Sequence, residues 1–489
     1  MQSVSSDLAG RHGFRIHRTL LPPGAIVAAF ALLIIGGMGP NIELALLSIV
    51  VLIAGCLLLW RPGESPILLF IFVLPWLQGS IAIFQANWLG MGVEMLAQVP
   101  SDMRTAILLT QAGLLVHALG LRIGAGRWRR QDAHLMHEQA LWLPTRRWAQ
   151  AYAGAWLVSF AALTFAWLVP GLAQILLAFV TLKWAFYFML AYVAFAGAPG
   201  GRHILAVAFL VELALGIGGF FSDFKTVIFV TAFAAVASGV RMTAKRLIGI
   251  GALAMLVVAL AIVWTAVKSD YRRFVSGGEV AQIVSVDYGA RISHLAGLVG
   301  QLEGPSLSKA FDEMLGRLTY VEFFGATINY VPTYVPHQHG DILWDAISRP
   351  FMPRLFFPDK APIDDSVRTN EFTGLGVAGV AEGTSISLGW IAEAYIDFGR
   401  YGMFLSILAI SVFYGSIYRR LIRWDPTRGL FGAALATAVL QGAGFLESSI
   451  TKVFGGVIVS LLMAWMLVKF VLPRIAPWLL ARSPRRARL

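Results

Sequence analysis

The chain reads as an all-α, polytopic integral membrane protein of about twelve transmembrane helices, with one large outer loop carrying amphipathic helices. Three observations predict this. The mean hydropathy is +0.71, with 57% hydrophobic and 13% charged residues, so lipid and not a protein core must absorb the surface. Apolar runs of near-spanning length recur along the sequence. Short basic clusters punctuate alternate loops between them.

The runs fall near 21–38, 42–60, 65–85, 104–121, 149–169, 184–200, 203–221, 225–240, 247–267, 402–418, 429–446 and 454–473. The first follows Arg11, Arg15 and Arg18 and imitates a secretory signal. No A-x-A-like site follows it and a second run comes almost at once, which predicts an uncleaved first helix. Basic loops at Arg61, 122–148, Arg202, 241–246, 419–428 and 474–489 all share one side with both termini, as an even number of spans requires. That side is read as cytoplasmic. The stretch 170–183 is expected as an interfacial helix before the sixth span, with Lys183 snorkelling to the interface. The eighth span is short. No internal repeat is evident, and four regions result: an N-terminal membrane bundle of about nine spans (1–267), an outer loop (268–401), about three C-terminal spans (402–473) and a basic tail (474–489).

Composition excludes several functions. The net charge of +12 does not point to nucleic acid, because the basic residues lie in clusters between apolar runs, where topology explains them. Cys56 is the single cysteine, which excludes an intramolecular disulfide and a cysteine zinc site, and its place inside an apolar run disfavours a cysteine protease.

The long loop concentrates the polar chemistry. Residues 268–400 hold 11 basic and 16 acidic residues, a net −5, leaving a net +17 elsewhere. Leu307, Phe311, Met314, Leu315, Leu318, Val321 and Phe324 repeat at helical spacing, predicting an amphipathic helix on the membrane or the bundle. Prolines at 332, 336, 350, 353, 358 and 362 predict irregular backbone over 332–365. Its aromatic content argues against disorder.

Basic groups expected on the outer side are Lys225, Lys268, Arg272, Arg273, Arg291, Arg317, Arg349, Arg354, Lys360 and Arg368. Topology does not require them there, whereas a polyanionic headgroup would, since arginine binds phosphate oxygens bidentately and lysine adds a point charge. Ordinary ion pairs are the competing reading for each. Glu212, mid-span, costs about 2.5–3.5 kcal/mol if ionised and so needs a partner or an aqueous cavity. His337, His339 and Asp341 alternate and would share a face in an extended segment, a weak metal signal; a histidine there could equally accept a proton. Asp364 and Asp365 mimic a nucleotide-sugar metal motif but face the wrong compartment. Glu393 and Asp397 share a helix face at a membrane-embedded mouth, where Glu393 could serve as general base or simply pair with an arginine.

The order of these pieces carries a resemblance. Arg317 and Leu318 lie in an amphipathic helix; VPTYVPHQHGD (331–341), PRLFFPDKAP (353–362), Asn370-Glu371 and GTSISLGWIAEAYIDFGRYG (383–402) follow, leading into a span. This resembles the Wzy-type polymerases of O-antigen and exopolysaccharide repeat units over about 317–402, with polytopic topology agreeing along the chain. The resemblance implies a GT-C-like fold and a bacterial inner-membrane glycosyltransferase acting on the periplasmic face. Its substrates would be undecaprenyl-diphosphate-linked oligosaccharides, and it would use no cofactor or metal. A chain-length regulator and a flippase of the same pathway would be partners. Arg317, Arg354, Lys360 and Glu393 carry over by their place in the pattern, while His339 and Lys225 rest on chemistry; the expected catalytic set is Arg317, Arg354, His339 and Glu393, with Lys225, Arg272, Arg291 and Lys360 gripping the diphosphate. The base stays open among His337, His339 and Glu393. Alternatives are an O-antigen ligase-type transferase, a polysaccharide or lipid flippase, and a structural subunit of an envelope complex; charge gathered in one asymmetric loop disfavours transport.

Overall fold

The structure is a computed structural model and describes residues 23–127, 136–138, 140–141, 143–168, 173–197, 200–217, 224–240, 243–277, 286–352, 356–357, 360, 363–379, 385–424 and 429–481. Helices α1 (Pro23–Gly37), α2 (Ile42–Leu59), α3 (Ile67–Trp88) and α4 (Met103–Ala125) open the chain. Next come α5 (Thr145–Leu168), α6 (Ala173–Phe195), α7 (Gly201–Ile217), α8 (Phe224–Ala237) and α9 (Ala244–Val275). The loop region holds α10 (Tyr288–Gly300), α11 (Gly304–Leu318), α12 (Val321–Tyr330), α13 (Asp341–Ser348) and α14 (Asp365–Thr373). The chain ends in α15 (Trp390–Trp424), α16 (Leu430–Leu440), α17 (Ile450–Met466) and α18 (Leu472–Leu480). No strand occurs among the described residues.

Eight described helical segments are long and apolar enough to cross a membrane, so the chain is a helical membrane protein. They lie in α2, α3, α4, α5, α6, α9, α15 and the continuous α17–α18 segment. Helices also occupy the other expected runs, but α1, α7, α8 and α16 are shorter. Short polar side chains start several helices: Asp102, Thr243, Asp287 and Asp364 each accept a backbone N–H from the first turn, worth about 1 kcal/mol apiece.

The core is built on α4, which packs along α15. Three glycines let the backbones meet. A Cβ on Gly124 would stand 2.2 Å from the Val412 carbonyl, and one on Gly415 2.3 Å from that of Leu121. With lipid outside, close packing of small residues is what holds such helices together. At one end of α4, Tyr418 donates to Glu64 at 2.6 Å and Arg61 lies 3.5 Å from the same carboxylate. At the other end Asp102 meets Gly325 of α12. The second end is the loop end.

Five elements differ from the sequence expectation. Helix α6 runs unbroken through 173–195, with no separate interfacial helix, because Lys183 does not snorkel. Its Nζ is 2.8 Å from Glu212 Oε2, and Tyr152 donates to the same carboxylate at 2.5 Å. The neutralised charge lets the helix stay buried. The apolar stripe breaks at Thr319, whose hydroxyl turns back onto the Leu315 carbonyl at 2.8 Å. Helix α11 then packs on α9, while Val321 and Phe324 of α12 are buried in the core. The proline-rich stretch contains α13. Helix α9 extends through 268–275, taking Lys268, Arg272 and Arg273 out of the loop.

The fifth difference is the largest. Helix α15 begins at Trp390, before the expected boundary at 401/402, and is broken at Gly399 (φ 68°, ψ −173°). Its two limbs fold against one another. Ile391 and Ile407 both lie over Gly113, and Trp390 and Ser411 both meet His117 on α4. The limb 390–398 therefore starts deep in the bundle, midway along α4, and climbs back to the loop end before α15 crosses. Irregular backbone at that depth is tolerated only when buried in protein, and Leu388 and Gly389 are buried.

Candidate functional site

The climbing limb carries Glu393 and Asp397 into the interior, 1% and 2% exposed. The sequence can place them there because Gly399 ends the limb in a left-handed conformation open to glycine. The turn at Gly399 leaves the Ile396 and Asp397 carbonyls free, and the backbone N–H groups of Gln338 and His339 donate to them at 3.0 and 2.9 Å. The Asp397 carboxylate accepts from the Ile342 and Leu343 N–H groups at 3.1 and 2.8 Å, capping α13 from another element.

Glu393 is fully engaged. Arg368 Nη1 of α14 donates to its Oε1 at 2.8 Å, and the Ile450 N–H at the start of α17 donates to its Oε2 at 2.5 Å. Arg368 also lies 3.7 Å from Asp345 and 3.4 Å from the Thr451 hydroxyl. Arg349 Nε reaches both Asp345 oxygens at 2.8 Å. Burial works against the charge of Arg368, but Glu393, Asp345 and Asp365 outweigh it and raise its pKa. Beside this chain of charges, Asp365 is 4% exposed and pairs with Lys452 of α17 at 2.6 Å. Its second oxygen, Oδ1, is buried without a hydrogen-bond partner among the described residues.

Lys452 also lines a cavity of about 340 Å³ bounded by α6, α8, α17 and the break after α16. Lys225 stands in its wall in the first turn of α8, 5.1 Å from the Phe445 ring. Phe229 and Phe233, one and two turns further along α8, and Phe70 form a packed aromatic wall, with ring centroids 5.2 and 5.0 Å apart to Phe70. The result is an apolar slot with two cations at its rim, chemistry suited to an anion attached to a hydrocarbon chain.

The expected site residues divide. Lys225 reaches the cavity and Glu393 the charge cluster. His339 sits at the tip of the Gly399 hairpin with φ 53° and an exposed side chain, and His337 Nδ1 is 3.1 Å from the Ile396 carbonyl. Lys360 is occupied by the Arg349 and Met352 carbonyls at 2.7 and 2.9 Å, holding a turn closed. Arg272 and Arg291 lie on an arm formed by α9, α10 and α11 and do not line the cavity. Arg354 and the side chain of Arg317 lie outside the described residues. No three histidine, cysteine, aspartate or glutamate side chains are grouped to hold a metal among the described residues, and His337, His339 and Asp341 are no exception. Sequence reasoning missed Lys452. Its only signal was a lysine in the first turn of an apolar run, at the end where no topological rule asks for one.

A family model described as a domain of unknown function (DUF8712) matches residues 136–469, a stretch containing the charge cluster and both lysines. No curated protein and no solved structure matches the chain.

Proposed function

The chain belongs to the family of the domain of unknown function DUF8712, and we propose that it is a membrane glycosyltransferase joining undecaprenyl-diphosphate-linked oligosaccharide repeat units at the loop end of the bundle. The observation that carries this reading is the aromatic cavity with Lys225 and Lys452 in its wall, set beside the Arg368–Asp345 pair and the buried Glu393 that it holds. The carrier's polyprenyl chain would lie along the phenylalanines and its diphosphate against the lysines. An acceptor hydroxyl oxygen attacks the anomeric carbon of the donor sugar, and the bond from that carbon to the diphosphate breaks. The electron pair leaves with the diphosphate and the hydroxyl proton passes to a base. Fixed cations stabilise the departing charge most where water is scarce. Glu393 has both oxygens committed and serves to hold Arg368 and the start of α17. Asp365, with one oxygen unpartnered among the described residues, is better placed than Glu393 to take the proton, and the His339 imidazole at the hairpin tip is the alternative base. In the cell, this reading sets the reaction on the periplasmic face of the inner membrane, as the resemblance implies, with both termini cytoplasmic and about twelve spans, as the basic loops imply.

The test is reconstitution. Purified protein in nanodiscs, given undecaprenyl-diphosphate repeat units, should build a ladder of longer glycans, with or without chelator. Lys225→Met and Lys452→Met should each remove it at unchanged protein level; a normal ladder from both variants sinks the assignment. A second reading, transport of a lipid-linked glycan, is favoured by the chain breaks at 385–389 and 441–449, since transporters bind at interrupted helices. Movement of the substrate across liposomes without elongation would select it.

A further inference from the structure

Lys452 stands in two places at once. Its side chain helps line the cavity, and its ammonium is held by Asp365 Oδ2 at 2.6 Å and the Ser385 hydroxyl at 3.2 Å. A lysine neutralised by a carboxylate at that distance offers little net positive potential to an anion in the cavity. Lys225, by contrast, forms no ion pair among the described residues and rests over the Phe445 ring. One rim cation is therefore ready and the other is held back. The pair is also unequal in burial: Lys452 is 41% exposed, with a flexible stem able to swing, while Asp365 is 4% exposed and fixed in the first turn of α14. Once Lys452 swings away, Asp365 is not stranded, because the Arg368 guanidinium still acts on it. Its Oδ1 has no hydrogen-bond partner among the described residues.

We infer that the Lys452–Asp365 pair is an anion-responsive latch: a phosphate or diphosphate group in the cavity draws Lys452 off Asp365, and the freed carboxylate is delivered beside the bound headgroup. The ligand class is a phosphorylated isoprenoid, its charge on the two lysines and its chain on Phe229, Phe233 and Phe70. The inference rests on the cavity being the headgroup site of the reading above, and it adds a feature of its own. Asp365 lowers the affinity of the empty site and is released only by the right occupant. Coupling is reciprocal, so whatever strengthens the ion pair must weaken the anion, by the same factor.

The opposite signs of two substitutions test it. Farnesyl diphosphate is the probe, titrated against the full chain in detergent, with farnesol and inorganic pyrophosphate run in parallel. Lys452→Met should weaken farnesyl diphosphate about tenfold, as should Lys225→Met. Asp365→Asn should tighten it, by about two- to fivefold, because a half-exposed ion pair is worth at most about a kcal/mol. Ser385→Ala, which removes the second hold on the ammonium without touching a charge, should tighten it in the same direction and guards against misfolding of the aspartate variant. Farnesyl diphosphate binding well above both controls supports the lipid-phosphate class; equal binding of pyrophosphate alone replaces it with a free-phosphate site and overturns that class. If both lysine variants bind as wild type, the cavity is not the headgroup site and the reading above falls with the latch. If the lysine variants weaken but Asp365→Asn and Ser385→Ala fail to tighten, the latch alone is overturned.

Discussion

Glu393 shows how a residue can be found by motif while its role is set by neighbours far away in sequence. Its place in GTSISLGWIAEAYIDFG was legible, but its partners come from α14 and α17, and no spacing rule connects them. Removing the carboxylate leaves a largely buried guanidinium and an unsatisfied N–H at the start of α17. Glu393→Ala should therefore cost about 3 kcal/mol, seen as a lower thermal midpoint in detergent, with Glu393→Gln losing less. An unchanged midpoint for the alanine variant would remove Glu393 from the framework. Lys183 teaches the converse. A single lysine in an apolar run gives no hint of its partner, and snorkelling is the economical reading until α7 brings Glu212 against it. Here the expected signature is non-additivity. Lys183→Met and Glu212→Gln should each destabilise, while the double variant should recover part of the loss, because neither charge is then left alone. Strict additivity would mean that the two do not interact.

At the scale of the element, helix positions were readable and helix breaks were not. Expected apolar runs overlap each of the eight described segments long and apolar enough to cross a membrane, because lipid demands such runs. The turn at Gly399 was hidden because both limbs are helical and DFGRYG looks like an ordinary lead into a span. What shows it is three-dimensional: a left-handed residue with His337 packed 3.2 Å from where a Cβ would stand. Gly399→Ala should cost about 1–2 kcal/mol from backbone strain alone. The loss should appear as faster hydrogen exchange of the Gln338 and His339 amides, and wild-type exchange there would refute the hairpin. Glycines 120 and 124, four apart on α4, do carry a sequence signal for close helix approach. Gly124→Leu should separate α4 from α15 and abolish folded protein by size exclusion, whereas Gly249→Leu, with open space around it, should be silent.

For the whole molecule, composition was decisive for a helical membrane protein. A chain this apolar can only be a membrane protein, and the split of charge between 268–400 and the rest forecasts two unlike faces. The site was half legible. Lys225 and Glu393 were visible as charges, but the cavity that brings Lys225 together with Lys452 exists only once α8 and α17 face each other across it. The two faces give a direct check. In a Cys56→Ala background, Tyr334→Cys should react with a membrane-impermeant maleimide in intact spheroplasts, and Arg423→Cys only after permeabilisation. Equal labelling of both would contradict the arrangement.

The limb 390–398 also bears on how the chain is made. It is far shorter than the roughly 20 residues that an insertion machinery accepts as a crossing. Its buried start is sheltered by α4, already synthesised, and by α17, which is not yet made when the limb emerges. The segment must therefore wait at the surface and enter last, as a plug between helices laid down on either side of it. A nascent chain stopped before α17 would have most of its membrane helices in place and still lack its charge cluster, so biogenesis of the site is the final step and one the C-terminal helices control.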